Sequence, residues 1–230
     1  MIDTFALLPY AIPLFLVVIS LESRALTFNG AVSALLLSYI ILITQNIYWF
    51  AVVLTLFFVG TAATRYKEEK KEKMKLLQKI RGSWNVMANG GMAMLMALLG
   101  GPQGLYGFVG AVSTATSDTV ASEIGVLSKK PPRLITTFRK VKTGSEGAVS
   151  SLGTIFDFMA ALLGGIIYLY LVGSQKIILV SVIAGLGGQF MDSYLGALIE
   201  NKIPGFGNSM TNFIATAFGA VFGMVLGTIL

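Results

Sequence analysis

Several acidic and amide side chains lie inside segments of the chain that are otherwise apolar. Asp118 and Glu123 close one such segment, Asp157 and Asp192 lie in two later ones, and Asn212 lies near the start of the last. A carboxylate at membrane depth is costly unless another group compensates its charge, and such residues are functional by default. Oxygen ligands of this kind suit hard cations such as Mg²⁺. The pattern therefore predicts a metal-assisted or acid–base site.

The composition limits the chemistry that these side chains can do. The 230-residue chain is 55% hydrophobic and 12% charged, whereas soluble domains carry about 25% charged residues. It contains no Cys and no His, which excludes disulfides, thiolate metal sites and imidazole bases. We therefore expect an integral membrane protein whose chemistry uses carboxylates, amides, hydroxyls and lysines.

The apolar segments predict an all-α, polytopic membrane protein with about eight transmembrane helices. Each segment approaches the length of about 20 residues that a helix needs to cross a bilayer. The predicted spans are residues 5–22, 29–44, 46–64, 84–100, 104–125, 149–172, 177–199 and 208–230. We expect them to form one domain over residues 1–230, and whether it forms a homo-oligomer is left open.

The basic residues predict the orientation of these spans. Eight of the 17 Lys and Arg residues lie between Arg65 and Arg81, and six more lie between Lys129 and Lys142. Positively charged loops stay in the cytoplasm, so the loops near 65–83 and 126–148 are predicted to be cytoplasmic and both termini non-cytoplasmic. The first loop is also typical of a helix that touches anionic lipid head groups. The expected location is the cell membrane, and no nucleic acid partner is expected.

On this topology the intramembrane polar residues all fall near the cytoplasmic side. In chain order they are Asn85, Asn89, Asp118, Glu123, Asp157, Asp192, Glu200, Asn208 and Asn212. Small residues three or four positions from Asp118, Asp157, Asp192 and Asn212 form stripes that favour close helix packing and an inward-facing polar group. We therefore expect one site, although single polar residues of this kind also serve only to hydrogen-bond helices together.

Glu123 is the member of this set whose direction is in question. It lies five residues after Asp118, which on a regular helix places the two side chains about 140° apart. Both acids can face one site only if the helix end unwinds, or if Glu123 serves a neighbouring role.

The second basic loop contains a candidate phosphate-binding segment. Residues 142–147 read Lys-Thr-Gly-Ser-Glu-Gly and precede the predicted helix start near Val149, while Leu134–Phe138 is compatible with a short strand. Glycines let backbone N–H groups point at an anion, and a helix N-terminus adds positive potential. The alternative is an ordinary basic connector. Phosphate ligands, carboxylates for Mg²⁺ and a membrane boundary together indicate phosphoryl transfer to a lipid acceptor.

An ordered set of motifs resembles a known family. The motifs are Arg81-Gly-Ser-Trp-Asn-Val-Met-Ala-Asn-Gly-Gly91, Asp118-Thr-Val-Ala-Ser-Glu-Ile-Gly125, Pro132-Arg-Leu-Ile-Thr-Thr137, Thr143-Gly-Ser-Glu-Gly-Ala-Val-Ser150 and Asp192-Ser-Tyr-Leu-Gly-Ala197, with Gly153-Thr154 and Asn212-Phe213. Over roughly residues 22–230 the chain is similar to the integral-membrane family called domain of unknown function ninety-two, whose plant member is the phytyl-phosphate kinase of vitamin E synthesis. The resemblance implies phosphoryl transfer from a nucleoside triphosphate, CTP, to an isoprenyl monophosphate such as phytyl or geranylgeranyl phosphate.

The resemblance also implies roles for individual residues. Asp118, Glu123 and Asp192 would be catalytic, and would bind Mg²⁺ or position the acceptor phosphate. Asn89 and Asn212 would support the metal or the nucleotide. The residues implied to hold phosphates are Arg133, Thr136, Thr137, Lys142, Thr143, Gly144 and Gly147.

Three other functions compete with this hypothesis. An ion-coupled transporter also carries acids inside a helix bundle, but its site lies near the membrane midplane. A CDP-alcohol phosphotransferase would need an Asp-x-x-Asp-Gly-x-x-Ala-Arg run, which the chain lacks. A lipid-binding or scaffolding protein without enzymatic activity would tolerate the loss of Asp118 and Asp192.

Overall fold

The computed structural model describes residues 4–76 and 80–230. The described residues form nine α-helices and two short strands, which are joined by loops. The helices are α1 (Thr4–Glu22), α2 (Phe28–Thr44), α3 (Ile47–Arg65), α4 (Glu68–Lys73), α5 (Ser83–Leu99), α6 (Gly101–Gly125), α7 (Ser151–Val172), α8 (Lys176–Leu198) and α9 (Asn208–Ile229). The strands β1 (Arg133–Leu134) and β2 (Ala148–Val149) pair antiparallel within the α6–α7 loop.

The eight long helices agree with the eight predicted segments to within a few residues at each end, and α4 lies inside the first basic loop. Among the described residues, α3, α7, α8 and α9 are long and apolar enough to cross a membrane, while part of α1 and all of α2 form shorter apolar helices. The all-helical, polytopic class is therefore confirmed. The number of spans and the side on which the termini lie stay predictions.

Helix α6 lies at the centre of the bundle and contacts α3, α5, α7, α8 and α9. Its close approach to α9 requires glycine at position 110, because a Cβ atom there would collide with the backbone of Gly219. Its approach to α8 is close because Gly188 leaves room for the side chain of Thr114, whose hydroxyl donates to the Ala184 carbonyl at 3.0 Å. The predicted small-residue stripes thus set the spacing of the central helices, as is usual in membrane bundles.

The first three helices surround this centre on one side. Helix α1 packs against α2, α2 packs against α5, and α3 packs against α6 and α7. Large side chains fill the contact between α3 and α6, where the rings of Trp49 and Phe108 lie 4.7 Å apart. Helices α1, α2 and α3 therefore form a wall of larger side chains beside the small-residue centre.

Four loops meet at one end of the bundle, which we call the basic end; their described residues are 23–27, 66–76 with 80–82, 126–150 and 199–207. The first two are joined by a hydrogen bond from Thr27 N to Arg81 O (3.1 Å), and the last two by one from Asn201 Nδ2 to Glu146 Oε1 (3.2 Å). The described Lys and Arg residues lie at this end, with the exception of Lys176 at the start of α8. The arrangement agrees with the predicted grouping of the basic loops on one side of a membrane.

Candidate functional site

A polar cavity of about 430 Å³ lies at the basic end, between the ends of α5, α6, α8 and α9 and the α6–α7 loop. Eight of the predicted site residues line it: Asn89, Asp118, Glu123, Thr143, Gly144, Gly147, Asp192 and Asn212. Side chains that lie 123 positions apart in the sequence, such as Asn89 and Asn212, are in contact here. The expected convergence of the polar residues on one end of the bundle is therefore seen in the structure.

Asp118 of α6 and Asp192 of α8 form the centre of the cavity, and we call them the acid pair. Their carboxyl groups lie within hydrogen-bonding reach of each other. The pair forms because α6 and α8 pack closely: a Cβ atom at Gly185 would lie 3.1 Å from the Ser117 hydroxyl. Two facing carboxylates repel each other unless a proton or a cation lies between them. The pair is thus a place where a cation would be favoured.

Two asparagines support the acid pair from the opposite wall. With its amide nitrogen turned towards α8, Asn212 donates to Asp192 Oδ1 at 3.1 Å and to the Asn208 carbonyl at 3.0 Å. The Asn212 side chain also lies 3.5 Å from Asn89 Oδ1, and Asn89 donates to the Asn85 carbonyl at 2.9 Å. The amides orient one carboxylate of the pair and add neutral oxygen atoms to the cavity wall.

Glu123 has a charged partner of its own in the fold. Helix α6 stays regular to Gly125, so Glu123 points away from the acid pair and towards α3 and α4. There its carboxylate accepts from Lys71 Nζ at 2.6 Å and from Thr64 Oγ1 at 3.1 Å. Glu123 therefore balances a buried lysine while it lines the cavity, and its part in metal binding stays a prediction.

Lys71 is a functional residue that the sequence analysis missed. Its side chain is 0% exposed, and besides Glu123 its ammonium group donates to the carbonyl oxygens of Ala63 and Thr64. These bonds fasten α4 across the end of α3 and beside the cavity. Lys71 is one lysine among several in a charged run, so the sequence contains no signal that would distinguish it.

The chemistry of the donor atoms decides whether a cation fits this cavity. Within the described ranges, no group of three or more acidic side chains lies close enough together to bind one metal ion. Mg²⁺, however, is usually held by one or two carboxylates, with water and substrate phosphates completing its octahedron. Asp118 and Asp192, supported by Asn212, supply such a set beside open volume. The residues present therefore fit Mg²⁺.

Glu200 adds a further acid to the cavity. It is 4% exposed, its Oε2 accepts from Thr211 at 3.2 Å, and its Oε1 has no partner among the described residues. Burial, followed by the charge of nearby Glu146, raises the pKa of Glu200 to about 7. The sequence analysis placed this residue just beyond the seventh span and gave it no role in the site. The signal that could have assigned one is its position shortly after Asp192, in a loop at the same end of the bundle.

Asp157 lies deeper in the bundle and does not line the cavity. It lies on α7 and is 0% exposed, and neither of its carboxyl oxygens has a hydrogen-bond partner among the described residues. It lies close enough to Asp118 for the two charges to interact. Asp157 therefore adds a further buried acid behind the acid pair.

The α6–α7 loop brings only some of its predicted phosphate ligands to the cavity. Thr143, Gly144 and Gly147 line it. The other four residues, Arg133, Thr136, Thr137 and Lys142, are not part of the lining. The predicted strand over Leu134–Phe138 is also shorter than expected, because the chain turns after Leu134 and reaches a left-handed φ of 57° at Phe138. Arg133 instead donates to the Phe138 carbonyl at 2.7 Å, which closes this turn.

Gly147 holds the loop against α8. Its φ is 70°, and a Cβ atom there would lie 2.5 Å from the Ala197 nitrogen and 2.6 Å from the Ser193 carbonyl oxygen. Only glycine combines this backbone conformation with such a close approach. The glycine that was expected to expose backbone donors to a phosphate therefore also has a packing role.

The N-terminus of α7 opens towards the same cavity. Ser150 caps it by accepting from Gly153 N at 3.1 Å, and the Ser150 hydroxyl donates to the Gly125 carbonyl at 3.0 Å. Ser150, Gly153 and Thr154 all line the cavity. A helix N-terminus carries partial positive charge and suits an anionic group, so this end of the cavity favours phosphate.

Arg81 supplies the guanidinium group of the cavity, and the sequence analysis assigned it no role. It lies two residues before the start of α5. Its Nη2 donates to Thr64 Oγ1 at 3.2 Å. Burial lowers the pKa of Arg81 from its usual value, and the negative charge of Glu123 opposes that effect. The only sequence signal is its place at the start of one of the family motifs.

With this geometry described, comparison with known proteins identifies the family. Residues 11–220 match the family described as integral membrane protein DUF92. The chain belongs to this family. It is 35% identical over 208 residues, which cover 89% of this chain and 87% of the relative, to an uncharacterized membrane protein of Methanocaldococcus jannaschii.

Two relatives from Arabidopsis thaliana extend the comparison. Protein PGR is 28% identical over 214 residues, covering 79% of this chain and 74% of the relative. Protein VTE6, chloroplastic, is 31% identical over 221 residues, covering 87% of this chain and 65% of the relative. No solved structure gives a significant match. The suspected family is thus confirmed, and the fold described above has no experimental counterpart among these comparisons.

Proposed function

We propose that this DUF92 protein is a phosphotransferase that converts an isoprenyl monophosphate to the diphosphate, with CTP as donor and Mg²⁺ as cofactor. The observation that carries the proposal is the acid pair, Asp118 and Asp192, inside a cavity that is also lined by Arg81 and by the N-terminus of α7. Cation-binding and phosphate-binding groups therefore share one space. The family resemblance drawn from the sequence motifs supplies the substrate class.

In this reaction a terminal oxygen of the acceptor phosphate attacks the γ-phosphorus of CTP. The bond between that phosphorus and the β–γ bridging oxygen breaks, and CDP leaves. The acceptor phosphate is already an anion, so no strong general base is required, which is consistent with a chain that contains no His. Catalysis then consists mainly of placing the two phosphates in line and neutralising charge.

Each group of the cavity has a part in this scheme. Asp118 and Asp192 would hold Mg²⁺, which neutralises charge on the donor phosphates when bound. Asn212 orients Asp192 through its amide, and Arg81 neutralises a phosphate with its guanidinium group. The backbone N–H groups at the start of α7 face anionic oxygen atoms, and the loop carrying Gly147 closes this side of the cavity.

The position of the cavity supports a lipid acceptor and a soluble donor. It opens among the basic loops, which by the positive-inside rule face the cytoplasm, where nucleotides are present. The described basic residues of these loops raise the local concentration of an anionic nucleotide. The polar residues gather at one end of the bundle and not at its middle, which favours the kinase over the ion-coupled transporter.

The proposal is tested with the purified full chain in lipid nanodiscs. Phytyl and geranylgeranyl monophosphate are offered with CTP, ATP, GTP or UTP, with Mg²⁺ or with EDTA, and the diphosphate product is measured by mass spectrometry. We expect product with CTP and Mg²⁺, none with EDTA, and none from Asp118→Asn. The absence of product with every nucleotide, from protein that remains folded, would reject the kinase. Proton or Na⁺ flux into liposomes without nucleotide would establish the transporter instead.

A further inference from the structure

A second, apolar cavity of about 120 Å³ lies between α1, α2, α3 and α5. Its walls are mostly aliphatic and aromatic, and they include Leu16, Leu37, Val53 and Phe57. It lies in the wall of the bundle that α1, α2 and α3 form. We call this space the apolar groove.

The apolar groove and the polar cavity are lined by three residues in common, namely Arg81, Asn85 and Asn89. The two spaces therefore adjoin at the start of α5, with apolar walls on one side and carboxylates and amides on the other. A ligand that occupies both must have a hydrocarbon chain joined directly to a small polar group. This is the shape of a single-chain lipid phosphate.

Arg81 makes the junction suitable for a phosphate. Among the described residues the structure gives its guanidinium group one hydrogen bond, to Thr64, and one charge interaction, with Glu123. A guanidinium group carries five N–H donors in a planar fork, so most of them are left for a ligand. Such a fork matches the geometry of phosphate oxygen atoms. Asn85 and Asn89 add amide groups beside it.

We propose that the apolar groove binds the first part of the isoprenyl chain, and that Arg81, with Asn85 and Asn89, holds the attached phosphate facing the acid pair. This inference rests on the proposed function and names the residues that select its acceptor. One groove receives one chain, so a lipid with a single tail fits, whereas a diacyl lipid must leave a second tail outside. The remainder of a long tail extends past α1 into the bilayer.

The groove can be filled by one substitution without touching the polar cavity. Ala34 lines the groove from α2, and Ala34→Phe places a ring in it. Val32, on the same helix, is 51% exposed on the outer face, so Val32→Phe is the matched control. Val53→Phe enters the groove from α3 and guards against the failure of one variant to fold. Arg81→Gln removes the guanidinium group.

Binding of geranylgeranyl monophosphate and of CTP is measured separately, with Mg²⁺ present, on nanodisc-embedded protein whose thermal unfolding has been checked. We expect Ala34→Phe and Val53→Phe to weaken isoprenyl phosphate binding by about tenfold or more, with CTP binding unchanged and Val32→Phe like wild type. Arg81→Gln should weaken isoprenyl phosphate binding but not the binding of geranylgeraniol, which lacks the phosphate. Dimethylallyl monophosphate should bind weakly to every variant, because its chain is short.

The outcomes separate the groove from the kinase. If Ala34→Phe and Val53→Phe bind the long-chain phosphate as tightly as Val32→Phe does, the groove proposal is overturned even when phosphoryl transfer is found. If both groove variants lose binding while no nucleotide supports transfer, the groove stands and the kinase fails. Equal or tighter binding of phosphatidic acid, a two-chain phosphate, would also overturn the inference.

Discussion

Helix α6 carries two carboxylates at the basic end, and their surroundings differ. On one side Asp118 faces another acid, Asp192, across the cavity. On the other side, five residues later, Glu123 faces the buried ammonium group of Lys71 at 2.6 Å. We call these the acid-pair side and the ion-pair side. Among the described residues, the same helix therefore carries one carboxylate without an ion-pair partner and one whose charge the fold already balances.

This difference shows which buried acids are available for chemistry. Within the described ranges, Lys71–Glu123 is the one ion pair between side chains. Asp118, Asp192 and Glu200 all line the cavity, where like charges at close range repel one another. Among the described residues neither acid of the pair has an ion-pair partner, so the acid-pair side is open to a bound cation. The ion-pair side needs none and instead holds α4 in place.

The largest expected effect is on the acid-pair side. Asp118→Asn removes one of two proposed Mg²⁺ ligands and should lower the rate of diphosphate formation by about 1,000-fold or more, equivalent to about 4 kcal/mol of activation free energy. The midpoint of thermal unfolding should stay the same or rise, because the substitution also removes a repulsive charge. Asp192→Asn should behave alike. Activity within tenfold of wild type in either variant would contradict the role of the acid pair.

The next largest effect is a loss of folding stability on the ion-pair side. Lys71→Met leaves Glu123 without its buried cation and should lower the free energy of unfolding in detergent by about 3 kcal/mol. Adding Glu123→Gln removes the uncompensated charge, so the double variant should recover most of that loss.

Activity of the double variant distinguishes the two roles of Glu123. If Glu123 only balances Lys71, the recovered protein should turn over within about tenfold of wild type. Loss of activity as severe as in Asp118→Asn, in protein of normal stability, would restore Glu123 to the metal-binding set that the family resemblance implied.

A smaller effect tests how the α6–α7 loop closes the acid-pair side. Gly147→Ala combines a positive φ with a collision against α8, and should cost about 2 kcal/mol more than a positive φ alone. Gly173→Ala is the matched control, since its φ is 81° and nothing lies within 4 Å of the added Cβ atom. Thermal unfolding of both variants gives the comparison. Equal losses would show that Gly147 does not hold the loop against α8.

The smallest effect concerns the pH dependence of stability on the acid-pair side. The pKa of Glu200 rises from 4.5 to about 7 on folding, so the folded state prefers the protonated acid. Its stabilising contribution is complete below pH 4.5 and is lost as pH rises to about 7. After allowance for water in the open cavity, the loss should be about 1 kcal/mol.

The measurement is chemical unfolding in metal-free buffer between pH 5 and pH 8, compared with Glu200→Gln. That variant should lack this part of the pH dependence and should be more stable than wild type at pH 8. Glu69→Gln, on the exposed face of α4, is the control and should keep the pH dependence of wild type. Identical curves for wild type and Glu200→Gln would contradict the raised pKa.

The sequence by itself determined the membrane class, the eight long helices and the end of the bundle at which the polar residues gather. Apolar length and the placement of basic loops depend on local composition, so they can be read without a fold. The small-residue stripes likewise predicted the close approach of α6, α8 and α9, because helical periodicity sets which residues share a face.

Only the tertiary structure decided which groups meet. Lys71 and Glu123 are 52 positions apart, and their pairing depends on how α4 folds back across α3. The position of Arg81 between the polar cavity and the apolar groove depends in the same way on its backbone hydrogen bonds with Ala25 and Thr27, which are distant in the sequence. Helical periodicity gives the direction of a side chain about its own axis, but not the rotation of one helix against the next or the path of a loop.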